Sequence, residues 1–136
     1  MSAVRQPRIA LLVDHLESDY PAQIVTGVLR AARLARARTW IVPGGWLSRS
    51  PEEPVVRNFI YERVAAADVD GFVLSAGSLS NFCGLQRFRD WLAAFTKVPC
   101  VALGLDAAER QQMESFDRTA ERGVVPRGVD RRQRTE

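Results

Sequence analysis

The chain is poor in the residues from which small metal and nucleophile sites are built. It has one histidine, His15, and two cysteines, Cys83 and Cys100, among 136 residues. Two cysteines make neither a CxxC pair nor a disulfide framework, so free and mostly buried thiols in a reducing compartment are expected. Only Asp14 and Glu17 flank His15, with no second histidine or cysteine pair, so no metal is expected. A Gly-x-Gly-x-x-Gly phosphate loop is absent after the first apolar run. Asp14-His15-Leu16-Glu17-Ser18-Asp19 stands there instead. That acidic stretch would repel a dinucleotide phosphate. The P-loop and Gly-x-Ser-x-Gly signatures are also missing, and Cys83 has no histidine near it in sequence to serve as a base. No cofactor and no enzymatic activity are expected. No apolar run approaches the ~20 residues of a membrane span, and the first eight residues lack the apolar stretch of a signal peptide. A cytoplasmic protein without membrane contact follows as the expectation. The net charge of +3 is too small to argue for nucleic acid by itself, and the scattered arginines read as a solvated basic surface.

What is present is an ordinary globular composition, with 46% hydrophobic and 26% charged residues and enough length for one domain with a core. The organising stretch is Val69-Asp70-Gly71-Phe72-Val73-Leu74-Ser75-Ala76-Gly77-Ser78-Leu79-Ser80-Asn81. A short apolar run that stops in a small, polar, glycine-containing loop fits a buried parallel strand covered on both faces. In an open α/β sheet ligands bind beyond the carboxyl ends of the strands. Gly77 would let backbone approach a ligand closely, and Ser75, Ser78, Ser80 and Asn81 offer neutral hydrogen bonds. The plainer reading is a turn into a capped helix, for which Ser and Asn are equally suited.

Ile9 to Val13 is the first strand. A helix is expected from Pro21 to about Arg36, capped by Ser18 or Asp19, with Ile24, Val28, Leu29, Ala32 and Ala35 against the sheet. Thr39 to Val42 is the second strand. Ser50-Pro51-Glu52-Glu53 has the spacing of a capping box and predicts a helix starting there, with Val56, Phe59, Ile60 and Val64 as its apolar stripe. Val69 to Leu74 is the third strand. Leu85, Phe88, Leu92 and Phe95 mark a third helix beside Trp91, and Val98 to Leu103 is the fourth strand. Alternating strands and helices predict a parallel sheet with right-handed crossovers. Beyond Asp106 the character changes. Ala107 to Arg122 reads as a polar helix with Met113 and Phe116 on a thin apolar face, and Gly123 to Glu136 as a disordered, arginine-rich tail.

Tyr20 and Trp46 each follow a strand, where aromatic rings can sandwich a sugar or base. A surface or core aromatic is the competing reading. His15 reads more simply as a rim residue without chemistry than as an acid–base group.

Several segments are familiar in this order. Ile9 to Asp14, Ser18-Asp19-Tyr20-Pro21 and Gly27 resemble the opening of the type I periplasmic-binding-protein-like domain, the effector-binding domain of LacI/GalR-type transcriptional regulators. Val69 to Leu74 resembles that family's third strand, and Val98 to Leu103 its fourth. Arg57-Asn58-Phe59-Ile60-Tyr61 and Ser78-Leu79-Ser80-Asn81-Phe82 look closer to a bacterial subgroup in which the domain is the sensor input of signalling proteins. The resemblance spans residues 7–106 and implies an α/β three-layer sandwich with strand order 2-1-3-4, the N-terminal lobe of a two-lobe fold. Residues 1–106 would be that lobe and 107–136 an appended polar helix and tail. Carried over by position, the ligand-binding residues would be Asp14, Ser18, Tyr20, Trp46, Ser75, Gly77 and Asn81.

The resemblance implies non-catalytic sensing of a sugar- or nucleoside-like effector for a bacterial transcriptional regulator or signalling protein, in a lobe that is truncated or separately encoded. Too few residues precede Ile9 for a helix-turn-helix, so no direct nucleic-acid contact is expected. The alternatives are a protein-interaction module, as a homodimer or with a partner signalling domain, and a small enzyme on a flavodoxin-like sheet.

Overall fold

Four segments dense in aliphatic side chains form the strands of the computed structural model, which describes residues 4–50, 52–95 and 97–111. They are β1 (Arg8–Val13), β2 (Arg38–Pro43), β3 (Gly71–Ser75) and β4 (Cys100–Leu103). Between them lie α1 (Asp19–Leu34), α2 (Phe59–Ala65), the one-turn α3 (Ala76–Leu79) and α4 (Gly84–Leu92). Every pairing is parallel and the order is β2-β1-β3-β4, with helices flanking the sheet, as the sequence predicts for a three-layer α/β arrangement. The register sets Leu12 beside Val42 and Leu74, and Leu74 beside Ala102. All four strands therefore end at one rim.

Alternation along the strands sends side chains to two unlike layers. Ala10, Leu12, Phe72, Leu74 and Cys100 join Tyr61, Val64, Phe88, Leu92 and Phe95 in one buried cluster. Trp91 ties its aromatics together, with ring centroids 5.5 Å from Tyr61, 5.7 Å from Phe88 and 4.5 Å from Phe95. On the opposite face Ile9, Val73, Val101 and Leu103 meet α1 through Ile24, Val28, Ala31 and Ala32, leaving an apolar cleft of about 550 Å³. At the far end from the rim, Asp70 joins β1 to β3. Its carboxylate accepts from the Arg8 N–H at 2.7 Å and from Arg5 at 2.7 Å.

Three elements differ from expectation. The helix predicted from Ser50-Pro51-Glu52-Glu53 does not start there. The Glu53 N–H donates to the Ser50 carbonyl at 3.2 Å in a turn, a 3₁₀ turn forms at Val56–Asn58, and α2 begins only at Phe59. Pro54 is the physical reason, since it has no N–H to give to Ser50 and disfavours helical backbone at Glu53. Pro51 lies outside the described residues. The displaced start also changes the face turned inward. Phe59 is 60% exposed, with Val56 and Ile60 exposed beside it, while Tyr61 is completely buried and Val64 nearly so. Of α1's expected stripe, Ala32 is buried and Ile24 and Val28 half-buried, but Leu29 and Ala35 are exposed. The polar stretch after β3 is the short helix α3 rather than an open loop. The predicted helix from 107 starts, with residues 107–111 helical. A reciprocal capping box closes it, Glu109 N–H to Asp106 Oδ1 and Asp106 N–H to Glu109 Oε2, both at 2.8 Å. Met113, Phe116 and the tail lie outside the described residues. Among the described residues no helix is long and apolar enough to cross a membrane.

Candidate functional site

The rim at the carboxyl ends of the strands gathers the chain's polar and aromatic loop residues. After β1, backbone direction turns at Asp14 into the N-terminus of α1. Ser18 is the N-cap residue, with extended backbone, yet its side chain makes no capping bond. The third helical residue is Pro21, which has no N–H to be capped. The Ser18 hydroxyl is instead 3.0 Å from His15 Nε2, and His15 Nδ1 is 2.7 Å from Asp14 Oδ2. Asp14, His15 and Ser18 thus form one hydrogen-bonded relay, in which the buried carboxylate orients the imidazole and the imidazole orients an exposed hydroxyl. Asp14 is only 6% exposed, and its other oxygen, Oδ1, is buried with no hydrogen-bond partner among the described residues. A buried carboxylate oxygen without a donor is costly, so this is the least satisfied polar group at the rim.

The loop after β2 is shaped by Tyr61 and Asn58 from below. The Tyr61 hydroxyl lies 2.7 Å from the carbonyl oxygens of both Val13 and Gly45, which share its one proton, and it accepts from Gly44 N–H at 3.1 Å. A Cβ at Gly44 would overlap the Tyr61 ring, so glycine is required for this approach. Asn58 Nδ2 donates to the carbonyls of Gly44 at 2.8 Å and Trp46 at 3.0 Å, while its Oδ1 accepts from Ser48 N–H at 3.1 Å. Burial drives the Tyr61 phenol far above its ordinary value, and the nearby Asp14 charge adds to the rise. Held this way, Trp46 projects at the rim, 48% exposed, with its ring 4.9 Å from Phe82.

After β3, Ser75 is fully buried and its hydroxyl lies 2.8 Å from that of Ser78. Ser75 therefore shapes the turn from inside. Gly77 is needed where it stands, because a Cβ there would overlap the Gly104 carbonyl oxygen. Gly104 itself has φ of +79°, and a Cβ on it would overlap the Tyr20 hydroxyl. Gly104, after β4, is thus approached closely by both Tyr20 at the start of α1 and Gly77 on α3. Asn81 is exposed, its N–H donating to the Ser78 carbonyl at 3.3 Å.

Of the seven residues expected to bind ligand, Asp14 and Ser18 meet through His15, and Tyr20 and Gly77 meet over Gly104. Trp46 packs on the ring next to Asn81, and Ser75 lies beneath the surface. His15, Phe82 and Gly104 belong to the same rim but were not in that set. Phe82 directly follows Asn81 and is an exposed aromatic in a loop, which was its one signal. Gly104 carried none, because only the fold sets its carbonyl against Gly77. Among the described residues no group of His, Cys, Asp and Glu could hold a metal ion. Both cysteines are free. Burial pushes the Cys100 thiol up to about 11 and also raises Cys83, which removes the thiolate character a nucleophile needs. No known protein family, no curated protein and no solved structure matches this chain.

Proposed function

We propose that this chain is a non-catalytic sensing lobe for a sugar- or nucleoside-like molecule, serving a bacterial transcriptional regulator or signal-transduction protein. The observation that carries this reading is the composition of the rim. Neutral hydrogen-bonding groups and half-exposed aromatic rings follow the carboxyl ends of β1, β2 and β3 in a parallel sheet: Ser18 and Tyr20 after β1, Trp46 after β2 with its ring on Phe82, and Asn81 after β3. Rings of this kind stack on sugar and base faces, while hydroxyl and amide groups read their edges. The Oδ1 of Asp14, without a partner among the described residues, adds an acceptor for a ligand hydroxyl or amine that reaches it. The resemblance of residues 7–106 to an effector-binding lobe supports the same reading.

One lobe supplies half of a two-lobe cleft, so binding should be weak. The test is a thermal melt with a panel of monosaccharides and nucleosides, on the native chain and on Trp46→Ala. A ligand that binds only the folded state raises the melt. A rise for at least one compound that disappears in Trp46→Ala supports the reading. A melt that ignores the whole panel at about 20 mM, where a millimolar ligand saturates its site, contradicts it.

A second reading is favoured by a different observation. The apolar cleft between α1 and β3–β4 lies beside β4, an edge of the sheet, and sheet edges recruit partners. In this reading the chain is a dimerisation module. Sedimentation equilibrium that gives a monomer at high concentration rules it out.

A further inference from the structure

A second cavity lies between α2 and α4, behind the loop after β2, and none of the seven expected ligand residues lines it. It holds about 380 Å³, within the range of small-molecule pockets. Its walls follow from helical spacing. Phe59 and Glu62 stand three apart on α2 and Arg87 and Trp91 four apart on α4, while Val55, in extended backbone just before the 3₁₀ turn, completes one side. Leu47 closes the floor, held by its N–H to the Leu79 carbonyl at 3.3 Å. Asn58 also lines the cavity, but its amide is spent on the backbone of Gly44, Trp46 and Ser48.

Two charges of opposite sign are left facing this space. Arg87 Nε is buried and has no hydrogen-bond partner among the described residues. The nearest carboxylate on its own helix, Asp90, accepts from Gln86 at 3.1 Å instead. Glu62 lies across the cavity, and no ion pair joins it to Arg87 among the described residues. A cation and an anion that line one apolar chamber without meeting are arranged for something between them. A guanidinium suits a carboxylate, and a carboxylate suits an ammonium. Between the charges the walls are aromatic and aliphatic, Phe59, Trp91, Val55 and Leu47.

We propose that this pocket binds a small zwitterion with a ring-sized apolar body, of the size and shape of an aromatic α-amino acid, its carboxylate on Arg87 and its ammonium on Glu62. The pocket shares no residue with the seven expected at the rim, so its occupancy can be read separately from theirs.

The test is calorimetric titration of the full chain with three probes, L-phenylalanine, benzoate and phenethylamine, repeated on Arg87→Gln and Glu62→Gln. The zwitterion is expected to bind at least about tenfold more tightly than either singly charged probe, the factor one charge-assisted contact confers. Each variant should cost L-phenylalanine about tenfold. Glu62→Gln should leave benzoate unchanged, and Arg87→Gln should leave phenethylamine unchanged. Because Glu62 is exposed, its variant reads the site without disturbing the core, and it carries the test alone if Arg87→Gln fails to fold. Benzoate binding as tightly as L-phenylalanine, an L-phenylalanine affinity indifferent to Glu62→Gln, or no heat from any probe at about 20 mM, where a millimolar ligand saturates, would each overturn the proposal.

Discussion

The two faces of the sheet are built from the same four strands and end in opposite states. On the α2/α4 face, large aromatic side chains interlock around Trp91 and bury Tyr61 and Phe88 completely. On the α1 face, one helix with Gly27, Ala31 and Ala35 along the cleft covers β1 and leaves Val73, Val101 and Leu103 half-buried. The strands are apolar on both sides, so their composition does not cause the difference. The number and bulk of the helical side chains laid over each face does. The closed face holds the rim loops in place from beneath, through Tyr61. The open face is the part of the molecule with room for more packing.

The largest expected effect breaks the closed face. Tyr61→Ala removes a fully buried ring together with a hydroxyl bound to three backbone groups. It should destabilise the fold by about 3–5 kcal/mol in urea unfolding. Tyr61→Phe keeps the ring and isolates the polar part, at about 1–3 kcal/mol. A loss under 0.5 kcal/mol for Tyr61→Ala, within the scatter of neutral surface changes, would show that this face does not organise the molecule.

The next effect is alkaline. Burial in the same cluster raises the Cys100 thiol from 9.0 to about 11. Its neutral form is the one the folded state favours, so the contribution is complete below pH 9. It is lost as the unfolded chain ionises first, between about pH 9 and pH 11. Stability should fall across that window by roughly 2–3 kcal/mol, and the Cys100→Ala curve should be flatter there. Parallel curves for the two proteins would place that thiol outside the core. The Tyr61 phenol, raised in the same direction, extends the decline above its ordinary value.

At the rim, Gly77→Ala would push a methyl group into the Gly104 carbonyl. Backbone must move to accept it, at about 1–3 kcal/mol, and the shift should also weaken any ligand response that depends on Tyr20. On the open face the same substitution should have the opposite sign. A Cβ at Gly27 meets nothing within 4 Å. Gly27→Ala, in the middle of α1, should therefore stabilise the fold by about 0.5–1 kcal/mol. A destabilised Gly27→Ala would mean that the cleft is occupied in solution, which differential scanning calorimetry at two protein concentrations would expose as a concentration-dependent melt.

Legibility in the sequence tracks how local the cause is. The strands and their parallel pairing were readable because runs such as Ile9–Val13 and Gly71–Leu74 carry their own apolar signal and alternate with helices, while the order 2-1-3-4 came from the family resemblance. The start of α2 was misread because Pro54 reads as tolerable in a first turn, although its missing N–H sits one residue past the box. Its stripe was misread for a non-local reason. Tyr61 looks like a half-polar surface residue until its hydroxyl finds Val13 and Gly45, 48 and 16 positions away.

The candidate site divides in the same way. Tyr20, Trp46 and Asn81 could be named from their place after strands, since strand ends and loop chemistry are local properties, whereas Asp14 and Ser18 entered the set only through the family resemblance. That His15 joins Asp14 to Ser18, that Phe82 packs on Trp46, and that Gly77 and Gly104 touch are consequences of β1, β3 and β4 lying side by side. The sequence by itself determined the strands, their parallel direction and the polar character of the loops at one rim, because period and turn chemistry act over a few residues. Only the tertiary structure decided which face of the sheet is closed, which oxygen of Asp14 has no partner among the described residues, and that Glu62 and Arg87 line one cavity. Those depend on packing between segments that the chain keeps far apart.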